Sequence, residues 1–332
     1  MKILITGAAG FIGFHAAKKF LNKGIKVHGF DSMNNYYDPQ LKKNRLNILK
    51  KYKNFSFTKG LLENQKILNQ SVLKFKPTII IHLAAQAGVR YSIVNPDVYL
   101  NSNIFGTFNI IKIAQKIKVK HLIIGSSSSV YGANKKIPFQ EIDKTDHQVS
   151  FYASTKKSTE SLAHSYSSLW KLPITMLRFF TVYGPYGRPD MAYFKFTKSI
   201  LEGKPIDVYN NGEMKRDFTY IDDIIRGIIL SIENPPDRKR DKYSGAEPKY
   251  RVLNIGNNNP ISLDRFISAI EIACNQKAIR NLLPMQLGDV PITFADIDDI
   301  KKDLGFDPST KIEDGIINFV NWYKSYYEKN TP

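Results

Sequence analysis

Apolar and polar positions follow two rhythms through the first half of the chain. Short runs rich in β-branched residues, Lys2–Thr6, Lys26–Phe30, Asn54–Thr58, Thr78–Leu83 and His121–Gly125, have the length and content of strands. Between them Phe11–Asn22, Gln65–Phe75 and Pro96–Ile117, and after them Ser154–Trp170, repeat apolar residues every three or four positions, as a helix with one buried face does. Strand and helix in regular turn predict βαβ units, hence an α/β protein with a doubly wound, mainly parallel sheet. The basic segment Asn34–Tyr52 interrupts the second unit. After about Phe179 the rhythm changes. Gly184-Pro185, Gly187-Arg188-Pro189 and Asn210-Asn211-Gly212 mark loops, and the polar stretch Asn234–Arg251 reads as an exposed loop. Short strands (Ile206–Tyr209, Val252–Ile255) mix there with helices (Asp222–Glu233, Leu263–Cys274, Glu313–Tyr327). Residues 1–178 read as a nucleotide-binding domain, and 179–332 as a smaller substrate-binding part whose elements interleave with it.

Composition narrows the class. With 332 residues, 42% hydrophobic and 23% charged, the chain is an ordinary globular protein and not a disordered one. Cys274 is the only cysteine, so no intrachain disulfide frames the fold, and it reads as a small core residue. No run approaches the ~18 uncharged apolar residues that span a bilayer. The opening Met1–Gly7 reads as a strand entering a turn, not as a signal peptide, so a cytoplasmic protein is expected. The net charge of +18 comes from basic residues spread over the whole chain rather than gathered in one stripe. That distribution argues against a nucleic-acid partner and reads as a lysine-biased solvated surface, with attraction of an anionic substrate as the alternative; no membrane partner is expected.

Chemistry enters at the first strand–helix junction, Gly7-Ala8-Ala9-Gly10-Phe11-Ile12-Gly13. Glycines there allow a sharp turn and close approach of a pyrophosphate, and the helix start presents free N–H groups to it. A glycine pattern alone is weak, but Asp31 ends the second strand, where a carboxylate accepts ribose hydroxyls and repels a 2′-phosphate. The cofactor expected is therefore NAD. His82-Leu83-Ala84-Ala85-Gln86 ends the fourth strand with small residues that leave room for it. His82 itself reads as a structural histidine.

Tyr152-Ala153-Ser154-Thr155-Lys156 opens a helix, so Tyr152 and Lys156 share a face. A nearby ammonium lowers a phenol's pKa, which predicts Tyr152 as a proton acceptor. Ser126-Ser127-Ser128-Ser129 closes the fifth strand at the same sheet edge, where a hydroxyl can bond the same substrate oxygen. No metal-ligand pattern accompanies these groups.

With these motifs the chain resembles the extended short-chain dehydrogenase/reductases, and among them the nucleotide-sugar epimerases. The narrower match, to UDP-glucuronate 4-epimerases, is carried by Asp31–Asp38, Ala85–Ser92 and Tyr183–Ala192. The resemblance implies a Rossmann-type domain with an interleaved C-terminal substrate domain, and a homodimer formed through Asn101–Ile117 and Ser154–Trp170. It implies that Ser127, Tyr152 and Lys156 form a catalytic triad, with Lys156 also holding the nicotinamide ribose. Gly7, Gly10, Phe11, Ile12, Gly13, Asp31, Asn35, Leu62 and Ala84 would contact NAD, although Gly60-Leu61-Leu62-Glu63 lacks the family's usual Asp near the adenine. Arg216 would bind the substrate diphosphate and Asp289 a ribose. Without the resemblance, Arg216 in its polar loop reads as a solvated residue.

Residue differences then separate reactions. Dehydratases of this type carry Asp-Glu at the positions of Ser128 and Ser129, since eliminating water needs an acid and a base. Thr181 stands where galactose-type epimerases have Asn, which leaves room for a uronate carboxylate. Ser127, Ser128 and Thr181 are its candidate donors; Arg188 reads either as a further substrate contact or as a structural or solvated loop residue. The expected activity is 4-epimerisation of UDP-glucuronate through a 4-keto sugar. UDP-glucose or UDP-N-acetylglucosamine is the alternative substrate; a non-catalytic NAD sensor and an RNA binder are the alternatives of other classes.

Overall fold

The parallel core forms around the apolar centres of its strands, and the polar side chains they bury, such as Thr6, His28, His82, His121 and Arg178, are bonded inside the protein. In the computed structural model, which describes residues 1–237, 248–286 and 288–328, β1 (Lys2–Thr6), β2 (Lys26–Asp31), β3 (Phe55–Lys59), β4 (Ile79–His82), β5 (His121–Ser127) and β6 (Ile174–Phe179) are all strands of one sheet. β4, β5 and β6 are buried along their whole length, as strands covered on both faces must be. The order is β3-β2-β1-β4-β5-β6, every neighbour parallel, extended at the β6 edge by a seventh strand from the second half. The chain reverses direction of travel across the sheet between β1 and β4, and the carboxyl ends beside that point form the ligand crevice of such Rossmann-type folds.

Side chains alternate between two cores. Ile3, Ile5 and Ile123 join Phe14 and the C-terminal elements on one face, while Leu4, Ile80 and Leu122 join Phe30 and Ile110 on the other. Of the second half, β7 (Thr181–Tyr183), β9 (Lys215–Tyr220) and β11 (Pro260–Ser262) make a three-stranded sheet. A two-stranded parallel pair joins β8 (Pro205–Tyr209) to β12 (Ile279–Leu283). β10 (Tyr250–Ile255) is the strand that leaves this half to pair with β6 in register Tyr250↔Ile174.

Three expectations change. The basic interruption Asn34–Tyr52 contains a helix, Pro39–Lys50, begun by Pro39 at its first position and by the Asp38 carboxylate accepting from Gln40 N at 2.8 Å. Its buried face holds Lys42 and Arg45 beside Leu41, Leu46 and Leu49, and those two buried cations hide the helical period in the sequence. Pro96–Ile117 is not one regular helix: Pro96–Tyr99 and Gly106–Lys116 flank a wider π turn, Leu100–Phe105. The loop expected over Asn234–Arg251 ends early, because Tyr250 and Arg251 already belong to β10; residues 238–247 lie outside the described residues.

Candidate active site

The carboxyl ends of the sheet and the second half enclose a cleft of about 1260 Å³. Its floor is the turn after β1. Gly7 has φ +72°, and a Cβ there would stand 2.8 Å from the Ala84 nitrogen; a Cβ on Gly13 would stand 2.1 Å from the Gly7 carbonyl oxygen. Only glycine lets the turn, the helix and the end of β4 come this close. Helix Phe11–Asn22 has no side-chain cap, so its first N–H groups face the cleft beside Gly10, Phe11, Ile12 and Gly13. The Asp31 carboxylate accepts from Ala9 N (3.0 Å) and Met33 N (2.8 Å), which fixes the end of β2 against this turn. Leu62 and Ala84 line the cleft. Asn35 does not; its neighbour Asn34, whose backbone and side chain both accept from Lys42 Nζ, takes the lining position.

His82 is indeed satisfied inside the protein, with Nδ1 to Thr6 Oγ1 at 2.7 Å and Nε2 to Thr107 Oγ1 at 2.9 Å. Burial holds its pKa down to about 3, so it stays neutral.

Above the floor, Ser150 starts the helix Phe151–Trp170 by accepting from Ala153 N at 3.1 Å, and the first turns present Tyr152 and Lys156 to the cleft. Lys156 Nζ donates to Gly125 O at 2.7 Å. One turn on, Glu160 is clamped by Arg178 at 2.8–2.9 Å and by Ser126 Oγ at 2.6 Å. Burial lowers the Lys156 pKa to about 8, partly opposed by the Glu160 charge. The expected electrostatics of Tyr152 therefore needs correcting. Burial raises its pKa, and the groups that pull it back are the Ser127 hydroxyl and the Arg188 charge. Lys156, bonded to the Gly125 carbonyl, is not among those groups. Ser127 is the serine that works against Tyr152, since Ser126 is spent on Glu160; Ser127 Oγ also bonds Ser129 Oγ at 3.1 Å. Ser128, Thr181 and Arg188 line the same region.

The far end of the cleft is cationic. Arg216 sits in strand β9, not in the loop expected, with Nη1 donating to Pro291 O at 3.1 Å. Strand register against β7 and β11 aims it into the cleft, which is why it is not the solvated residue its neighbours suggest. Asp289 pairs with Arg90 at 3.1 Å, and the Arg90 guanidinium lies over the Tyr209 ring at 5.0 Å. Two arginines and one carboxylate thus face the same space.

Comparison with known proteins decides the family. Residues 3–256 match the model of the NAD dependent epimerase/dehydratase family. The chain belongs to this family. Protein CapI of Staphylococcus aureus is 51% identical over 99% of the chain and 100% of its own length. The probable UDP-glucuronate 4-epimerase of Rhizobium meliloti (strain 1021) is 48% identical over 99% and 98%. The crystal structure of UDP-glucuronic acid 4-epimerase from Bacillus cereus, in complex with UDP-glucuronic acid and NAD, superposes with a TM-score of 0.88 at 33% identity, covering 98% of this chain and 100% of that one.

As a family member the chain is NAD-dependent, and its own geometry fits the cofactor. The glycine turn leaves space that a Cβ would fill, the uncapped helix start offers donors to a pyrophosphate, and Asp31 stands at the end of β2. Arg90, Tyr36 and Asp190 also line the cleft; each lies within a segment that carries the resemblance but has no assigned role in the sequence reading. Arg90 lies in a loop, where an isolated arginine has no pattern to mark it. Tyr36 and Asp190 meet across 154 positions of sequence, the Tyr36 hydroxyl donating to Asp190 Oδ2 at 3.1 Å, and no local spacing signals such a pair.

Proposed function

We propose that this protein is a UDP-glucuronate 4-epimerase, interconverting UDP-glucuronate and UDP-galacturonate. The observation that carries the proposal is the wall around Tyr152: hydroxyls at Ser127, Ser128 and Thr181 and the Arg188 guanidinium, which Asp190 holds through Nε and Nη2, with no acid at Ser128 or Ser129 to drive elimination. A uronate carboxylate needs donors and a cation; a neutral hexose needs no such cation. The relatives named as UDP-glucuronate 4-epimerases support the same substrate.

In this reading Tyr152 accepts the proton of the sugar 4-hydroxyl, with Ser127 hydrogen-bonding the same oxygen. Bound NAD supplies a reversible hydride acceptor for C4. Lys156, Asp31, Leu62, Ala84 and the turn Gly7–Gly13 hold it. The product of the first half is a 4-keto sugar, a β-keto acid that can lose carbon dioxide. Arg188 opposes this by stabilising the carboxylate, whose negative charge would pass to an enolate as carbon dioxide leaves, while Ser128 and Thr181 fix its orientation. Arg216 and Arg90 anchor the diphosphate by charge-assisted bonds, so the sugar ring turns about that anchor and presents its other face. Asp289, tied to Arg90, accepts from a ribose hydroxyl. Tyr152 then returns its proton.

The division of labour follows the chain: residues 1–178 bind the cofactor and 179–332 mainly the substrate, in a homodimer built on the paired helices Gly106–Lys116 and Phe151–Trp170. Exposed Phe105, Leu169 and Trp170 support that interface. A cytoplasmic location accords with the unpaired Cys274. Among the described residues, no helix is long and apolar enough to cross a membrane.

The test is proton NMR of the purified protein with UDP-glucuronate and no added reductant. UDP-galacturonate without UDP-pentose is expected. A UDP-pentose product would make it a decarboxylase, and turnover of UDP-glucose alone would overturn the substrate.

A further inference from the structure

Arg45 is fully buried, and all four of its acceptors are neutral oxygens. Nη1 donates to Ala9 O at 3.0 Å and to the Tyr37 hydroxyl at 2.7 Å; Nη2 donates to Tyr186 O at 2.6 Å and Gly187 O at 3.0 Å. Burying a guanidinium is expensive, and an apolar side chain of similar volume fills space at lower cost. What the fork adds is geometry: two rigid pairs of donors joining two loops that nothing in the local sequence joins.

Neighbours of both ends line the cleft, Gly7 and Gly10 on one side and Arg188 on the other, while Arg45 and the three carbonyls it holds stand behind the wall. Ala9 lies in the pyrophosphate turn, its N–H held by Asp31 and its carbonyl by Arg45. Tyr186 and Gly187 immediately precede Arg188. Tyr186 has φ +56°, an unfavourable state for a tyrosine, and a Cβ on Gly187 would stand 2.2 Å from the Tyr193 hydroxyl. Such a turn persists only if its surroundings hold it. A second connection runs in parallel from the same segment: Tyr36 donates to Asp190, whose carboxylate grips Arg188 at Nε (3.0 Å) and Nη2 (2.5 Å).

We propose that Arg45 is a positioning residue that couples the dinucleotide turn to the Arg188 loop, so that the cofactor and the acidic end of the sugar substrate bind cooperatively. A pyrophosphate bound on the Gly7–Gly13 turn sets the position of the Ala9 carbonyl and with it the Arg45 fork, and the fork fixes the backbone from which Arg188 reaches the substrate carboxylate. The coupling is reciprocal, as any linkage between two binding equilibria must be. It deepens the epimerase reading above and rests on it for the identity of the carboxylate.

The experiment measures NADH affinity alone and with saturating UDP-glucuronate, a dead-end combination that does not turn over, with UDP as a control for the Arg216 end. In the native protein UDP-glucuronate should tighten NADH about 5-fold or more, and UDP distinctly less. Arg45→Met should remove the difference while NADH affinity alone stays similar. Arg45→Lys keeps the charge but not the fork, and should lose it too. Retained coupling in Arg45→Lys, or equal effects of UDP and UDP-glucuronate on the native protein, overturns the proposal. If the variants do not fold, hydrogen exchange on the native protein decides: NADH alone must slow exchange across 185–190, and unchanged exchange there overturns it. Failure of UDP-glucuronate to bind at all would instead reject the substrate assignment.

Discussion

A phenol used as a base must lose its proton inside a protein that disfavours the phenolate. Tyr152 shows that conflict plainly, with burial raising its pKa and Ser127 and Arg188 opposing the rise. Tyr152→Phe should lower turnover by about 10²–10⁴-fold, the usual worth of positioned acid–base catalysis, with NAD binding intact; normal epimerisation by this variant, followed by NMR, would remove Tyr152 from the mechanism. Lys156 carries the opposite tension. Its folded-state pKa of about 8 lies below its ordinary 10.5, so between those values the unfolded chain binds the extra proton. Stability contributed by this group therefore rises with pH across that window, and below it the full penalty of burying the ammonium applies. Lys156→Met should abolish activity, flatten that rise, and melt no lower than the native protein at pH 7, since Glu160 keeps Arg178 and Ser126. A melting point several degrees lower would show that the ammonium is net stabilising.

At the scale of elements, the parts legible beforehand were those whose burial repeats with a simple period. β1, helix Phe11–Asn22 and helix Gln65–Phe75 match the sequence expectation residue for residue, because each buries a regular apolar set. Helix Pro39–Lys50 was illegible because polar atoms hold it in place: Lys42 and Arg45 occupy its inner face and find oxygens instead of methyl groups. The π turn Leu100–Phe105 was hidden for a similar reason. It carries Asn103, which exchanges bonds with the Gln86 backbone at 2.7 and 3.0 Å and reaches Thr155 Oγ1 at 3.0 Å, a tertiary arrangement with no local signature. Of the site, the glycine turn, Asp31 and the Tyr152–Lys156 pair could be read from local spacing. Arg90, Tyr36 and Asp190 could not, since their partners are remote in sequence. Ser150→Ala removes the cap that starts the Tyr152 helix and should cost about 1 kcal/mol in denaturant unfolding. Arg90→Ala should raise KM for the UDP-sugar more than it lowers kcat, because an anchor on the diphosphate binds ground and transition states alike.

For the whole molecule, charge and surface make separate statements. The net +18 is a diffuse field that favours anionic ligands. Raising the salt concentration should therefore raise KM for UDP-glucuronate while leaving kcat nearly constant; a salt-independent KM would confine recognition to the arginines in the cleft. Exposed apolar side chains are scattered over the molecule, Val94 and Ile272 among them, and three fall on the paired helices and the π turn that precedes one of them. Phe105 is 56% exposed, Leu169 69% and Trp170 49%, and the two helices already pack together. Trp170→Lys should shift the sedimentation coefficient from dimer towards monomer, and an unchanged value would move the interface elsewhere.

The position of β10 sets a condition on how the chain is made. Its partner β6 ends at Phe179, yet β10 is not complete until Ile255. A chain emerging from the ribosome thus holds a long, apolar, unpaired strand edge for the time needed to translate the intervening residues, and any early stop or nick in that interval leaves the edge open to other chains. A fragment ending at Phe179 carries β6 without its partner strand and should collect in the pellet.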